Sequence, residues 1–215
     1  MPVPVAPSVW PDSTDGARRC ALSANFYALL ISANCYLPDH LPGGGTYRDL
    51  NGCVRDVDHV EAYLRNARHV PPEHITRLIS TAGPGPCRPA QLPSYQHMFA
   101  AFKALAGMAQ AGDQVYIHYA GHGGRTTAAF PEIKGAEGLD EALVPYDIGN
   151  SESRYLRDVE LAALLQSIAG KGAFLTVALD SCHSGGATCG RAAGVSTAVP
   201  RGMEPGDRVQ ERQGV

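Results

Sequence analysis

Short apolar runs alternating with amphipathic stretches predict an α/β protein, three-layered, with a mostly parallel sheet and helices on both of its faces. Three observations carry this. The apolar runs are strand-length and bounded by Gly, Pro or Asp; the stretches between them repeat apolar residues every three or four positions; and the two kinds of segment alternate along the chain. Such alternation implies right-handed crossovers, which place candidate sites at the carboxyl ends of the strands.

Phe26 to Ser32 (FYALLIS) reads as a buried strand that ends in the glycine-rich stretch Asn34 to Asn51. Gly43, Gly44 and Gly45 lack the spacing and the lysine of a phosphate-binding loop, so flexibility is the favoured role there. Cys53 to Ala67 is helical, with Val57, Val60 and Leu64 on one face. Pro71 and Pro72 end that region, and Ile75 to Ser80 (ITRLIS) is a second strand that enters the proline-rich loop Gly83 to Pro93. A second helix spans Ser94 to Ala109 and packs Met98, Phe102 and Leu105. Gln114 to Tyr119 (QVYIHY) is a third strand, broken at Gly121-His122-Gly123-Gly124. Arg125 to Arg154 reads as a long irregular connection carrying several acids. Asp158 to Ile168 is a helix, and Ala173 to Leu179 (AFLTVAL) is a fourth strand followed at once by Asp180-Ser181-Cys182-His183-Ser184-Gly185-Gly186.

The 215 residues, 44% of them apolar, suffice for one compact domain. Three parts are expected: a proline-containing extension over 1–24, a domain over 25–190, and a flexible Gly/Arg/Pro-rich tail over 191–215. A formal charge of −3 from nearly balanced acids and bases gives no footprint for nucleic acid and no polybasic membrane anchor. Met1 to Asp15 lacks the pattern of a signal peptide and no apolar run reaches bilayer length, so a cytoplasmic location is expected. The six cysteines are scattered, which favours free thiols over disulfides.

His122 and Cys182 each follow a strand end, which puts both at one edge of the sheet although they are about 60 residues apart. A thiol attacks a carbonyl as thiolate, and a nearby histidine or helix N-terminus lowers its pKa from ~8.5. The imidazolium would protonate a departing amine, and the backbone N–H groups of Gly123 and Cys182, both read as lying in tight turns, are candidate donors to an oxyanion. Taken singly, a strand-end histidine is more often structural and a cysteine more often a small buried hydrophobe.

Together the two motifs carry more weight. Tyr119-Ala120-Gly121-His122-Gly123-Gly124 resembles the Y-S/A-G-H-G motif of the caspase-like peptidases, and Asp180-Ser181-Cys182-His183-Ser184-Gly185 resembles the D-x-C-H-S-G motif of their metacaspase branch. Tyr27 to Ile31 is similar to the family's opening strand, and the resemblance runs from about residue 25 to 190. It implies a caspase-haemoglobinase fold and a cysteine endopeptidase whose dyad is Cys182 and His122. Only 33 residues follow Cys182, so the resemblance is to the large-subunit half of that family, and three expectations stand: a partner supplies the remaining strands, the sequence is a fragment, or the protein is weakly active. The fourth strand is then an exposed edge for a small-subunit partner or a second copy.

Asp180 precedes Cys182 by two positions and should point the same way, where a carboxylate favours a basic residue at the cleavage site. Cys53-Val54-Arg55-Asp56 resembles the C-x-x-D segment with which metacaspases line this pocket; the alternative for Asp56 is an acid at a helix N-terminus. The expected partner is therefore a protein or peptide cleaved after Arg or Lys. The chemistry itself requires no cofactor. Calcium is implied by the resemblance, since Asp140 and Asp158 match two positions of an aspartate group that binds it in some metacaspases. Val159 stands where another aspartate is usual, Cys189 where a further acid is expected, and two carboxylates are few for an ion that takes six to eight oxygens. Solvated loop acids are the alternative.

Two other classes remain open: a catalytically silent binding module on the same fold, and a zinc site built from His118, His122, Cys182, His183 and Cys189, whose spacings match no common zinc pattern. His183 should point away from Cys182 and is read as supporting structure. Cys20, Cys35, Cys87 and Cys189 are given no catalytic role. Arg191, Arg201, Arg208 and Arg212 would suit self-trimming of the tail.

Overall fold

A computed structural model describes residues 24–37, 47–81, 91–135 and 138–181, together with the strand pairing of 196–197. The 1–23 extension, Gly43 to Gly45, Cys182, His183, Cys189 and most of the 191–215 tail lie outside the described residues.

The main sheet has the strand order β2-β1-β3-β7-β8, all parallel. Its members are β1 (Phe26–Ala33), β2 (Ile75–Ser80), β3 (Gln114–Ala120), β7 (Phe174–Asp180) and β8 (Ser196–Thr197). Three helices cover it: α1 (Cys53–Asn66), α2 (Tyr95–Met108) and α4 (Asp158–Ala169). Period-two alternation divides β1, β2 and β3 between two cores. Leu29 and Ile31 of β1, Ile117 of β3 and Val177 of β7 join Met98 and Phe102 of α2 and Leu161 and Leu165 of α4 in one cluster. Ala28 and Leu30 point the other way, to Val57 and Leu64 of α1. Burying each large side chain contributes roughly 1.5–3 kcal/mol, so these two stripes set the register. Ser94 caps α2 by accepting the His97 N–H at 3.2 Å, as its place before the apolar repeat predicts.

Two expectations need correcting. The stretch Arg125 to Arg154 is not an irregular connection. It contributes to a second, antiparallel sheet of β4 (Gly123–Thr127), β5 (Leu139–Leu143) and β6 (Leu156–Arg157), in the order β4-β5-β6, with the one-turn helix α3 (Pro131–Lys134) between β4 and β5. These strands are short and polar. What holds them is cross-strand pairing and the burial of Leu143 and Leu156 in the main core, neither of which shows as an apolar run. The tail also contributes a strand: Ser196 and Thr197 pair with Thr176 and Val177, so the edge of β7 is covered over those residues. Among the described residues no helix is long and apolar enough to cross a membrane.

Candidate active site

The register of the main sheet determines how the two motifs meet. β3 and β7 run in parallel with Ala120 opposite Asp180, and the Gly121 N–H donates to the Asp180 carbonyl at 3.3 Å. His122 and Cys182 are therefore each two residues beyond a paired strand end. The described chain reaches Ser181, and Cys182 itself lies beyond it.

His122 is held on several sides. Its backbone N–H donates to the Tyr36 hydroxyl at 2.7 Å, and its carbonyl accepts the Tyr119 hydroxyl at 2.7 Å. The ring lies against Tyr36 and Tyr47, with centroids 4.9 and 5.2 Å away. Nε2 is 2.8 Å from the Arg48 carbonyl. A carbonyl only accepts, so Nε2 carries the hydrogen and the basic lone pair of the neutral ring is on Nδ1. Burial raises the pKa of the Tyr36 and Tyr119 phenols far above the ordinary value, so both stay protonated.

Close packing explains the glycines of this motif. A Cβ on Gly121 would lie 2.8 Å from the Tyr119 hydroxyl and 2.9 Å from that of Tyr36. One on Gly124 would lie 2.8 Å from Tyr155 Cε1 and 2.9 Å from the Tyr47 hydroxyl. Gly123 is not in a tight turn, as the sequence reading had it, but opens β4 opposite Leu143. Tyr119 stands in the sequence motif, whereas Tyr36, Tyr47, Tyr155 and the Arg48 carbonyl carry no motif that marks them for this environment. Their only local signal is a set of tyrosines near glycine-rich segments, and most of their contacts cross many residues of chain.

The charge of Asp180, at the carboxyl end of β7, reaches Cys53 in the first turn of α1. Cys53, Asp56 and Asp180 fall into one electrostatic neighbourhood there: burial, then the charges of Asp180 and Asp56, push the Cys53 thiol up to about 11. His118, on the α1 face of β3, has its pKa lowered by burial while the same two carboxylates pull it upward. Its Nδ1 meets the Tyr116 hydroxyl at 3.2 Å and its Nε2 is buried without a hydrogen-bond partner. His118 and His122 thus have different partners, and among the described residues no group of three or more His, Cys, Asp or Glu side chains is arranged to hold a metal. A groove of about 670 Å³ lies at the opposite end of the sheet, lined by Phe26, Tyr63, Gln114 and Phe174, away from His122.

Asp140 and Asp158 are not solvated loop acids. Asp140, on β5, is 0% exposed, and Asp158 opens α4 at 5%. Three of their four carboxylate oxygens accept hydrogen bonds, and the fourth, Asp140 Oδ1, is buried with an ion-pair contact alone. Asp140 Oδ1 faces Lys134 Nζ at 2.7 Å, and Oδ2 takes the Ala129 N–H and Arg157 Nη1, both at 2.9 Å. Asp158 Oδ1 takes the Val159 N–H at 2.7 Å, and Oδ2 takes Lys134 Nζ at 2.5 Å. This donor set does not fit calcium, which needs six to eight oxygens with lone pairs to offer.

The metacaspase peptidase C14 domain family matches residues 27–188. The chain belongs to the metacaspase family. It is 32% identical to Metacaspase-1 of Mycosarcoma maydis over 158 residues, 74% of this chain and 35% of that one. It is 32% identical to Metacaspase-1B of Aspergillus terreus over 160 residues, 74% of this chain and 38% of that one. A crystal structure of a Geobacter sulfurreducens protein matches with a TM-score of 0.55 and 26% identity over 75% of this chain and 52% of that one. This metacaspase sequence spans about a third of the length of those two curated relatives.

Proposed function

We propose that this metacaspase chain is a cysteine endopeptidase that cleaves peptide bonds after Arg or Lys through Cys182 and His122. The observation that carries the reading is the pairing of Ala120 with Asp180, which brings the stems of both motifs to one sheet edge. In this reading the Cys182 thiolate attacks the scissile carbonyl, and backbone N–H groups, with those of Gly123 and Cys182 as candidates, receive the oxyanion. Collapse of the tetrahedral adduct breaks the C–N bond, and the proton on His122 goes to the departing amine. Water then attacks the thioester, His122 accepts its proton, and the thiolate leaves. The Arg48 carbonyl and the Tyr36–Tyr47 pair support this role by fixing the ring with Nδ1 as the atom that exchanges protons. Asp180 and Asp56 would meet the basic side chain of the substrate.

The test is titration with a thiol-reactive peptide carrying Arg at the cleavage position, followed by mapping of the label and hydrolysis of matched Arg, Lys and Asp peptides. Labelling at Cys182 is expected, with hydrolysis after Arg or Lys that falls at least ~1,000-fold in Cys182→Ala. Labelling at any other thiol would remove the dyad reading, and equal or faster cleavage after Asp would remove the specificity.

A further inference from the structure

The buried acids of the small sheet carry their own counter-charge. Asp140 and Asp158 bring two negative charges under the surface, and Lys134 and Arg157 bring two positive ones against them. Removing carboxylates from water is costly unless they are paired and hydrogen-bonded, and here both acids are paired and every oxygen but Asp140 Oδ1 accepts a hydrogen bond. Lys134 bridges the two acids from the one-turn helix between β4 and β5, and Arg157 also donates to the Thr127 carbonyl at 2.7 Å, at the end of β4. The four side chains therefore tie the far end of the β4–β5 hairpin to the first turn of α4.

We propose that the Lys134 ammonium is the resident cation of the Asp140–Asp158 pair, standing where the family resemblance implies calcium, so that this chain orders its β4–β5 connection without a divalent ion. A calcium ion entering here would have to displace the ammonium and the donors on the other carboxylate oxygens. It would also leave the site with surplus positive charge. The protonation states agree. Burial alone would lower the Lys134 pKa, but hydrogen bonds and charges from Asp140 and Asp158 outweigh it and raise the pKa. Burial alone would raise that of Asp140, but Lys134, the Ala129 N–H and Arg157 outweigh it and lower the pKa.

The test is independent of peptidase activity. Thermal unfolding of the full chain is recorded with a chelator and with calcium at about 5 mM, above the weakest range of protein calcium sites, alongside calorimetric titration with calcium alone. The wild type should unfold at one temperature in both and bind no calcium. Lys134→Met, which keeps the stem and removes the charge, should lower Tm by roughly 5 °C. A wild-type Tm raised by calcium, with the rise lost in Asp140→Asn, would overturn the proposal. So would a Lys134→Met protein as stable as the wild type. If that variant fails to fold, the wild-type titration still decides whether calcium binds.

Discussion

Among the described residues, Cys53 is a cysteine whose chemistry is set by its surroundings. Cys53 opens α1 beside Asp56 and Asp180, and burial followed by those two negative charges pushes its thiol up to about 11. Near neutral pH the thiolate fraction is then on the order of one in several thousand, against about a tenth for a free cysteine of pKa ~8.5. Its place at a helix N-terminus would favour the anion, but burial and the two carboxylates outweigh that. Iodoacetamide at neutral pH should therefore modify Cys53 far more slowly than a peptide thiol, as timed mass spectrometry would report. Labelling at the peptide rate would mean that burial and the carboxylates do not hold the thiol protonated. The residues themselves were legible: Cys53, Asp56 and Asp180 are singled out by motif and charge. Their effect on one another was not, because it depends on burial and on the charge of Asp180 reaching α1 from the end of β7.

At the scale of elements, two glycines separate what the chain needs from what it merely tolerates. Gly124, in β4, is pressed between Tyr155 and Tyr47, whose hydroxyls are 2.9 Å apart. Gly107, near the end of α2, would present a Cβ to open space. Gly124→Ala should destabilise by about 1–3 kcal/mol through overpacking. Gly107→Ala should stabilise by up to about 1 kcal/mol by restoring helix propensity. Urea denaturation of the two variants reads both signs, and a neutral Gly124→Ala would mean that the tyrosines move aside freely. This pair also shows where sequence reading succeeds. The parallel strands and the three long helices announce themselves by period, since each buries a stripe of its own apolar residues. β4, β5 and β6 do not, because their stability lies in partners: Thr126 opposite Asp140, Leu143 opposite Leu156, and a lysine on two buried acids. The sequence motif correctly marks Gly124 as unusual without revealing that tyrosines from distant segments make it so.

Across the whole molecule, stability should be graded along the line joining the main core to the charged hairpin. β1 and β3 are each paired on both sides and covered on both faces, so their amides can exchange only when the domain unfolds. The β4–β5 hairpin starts in that same core. Leu143 is 2% exposed within it, and the Val144 N–H is 3.2 Å from both the His122 carbonyl and the Tyr119 hydroxyl. Its far end is different: Phe130 is 46% and Ile133 77% exposed, and the contacts there are chiefly ionic. The acids of those pairs are buried, so salt screens them only weakly, but few apolar contacts tie that end to the core. Native-state hydrogen exchange should therefore show Ile117, Leu143 and Val144 sharing the global opening free energy, while the amides of Thr127, Ala129 and Leu139 open at lower free energy. Equal protection along the hairpin would mean that the ionic end is as firmly part of the cooperative unit as the strands beneath it.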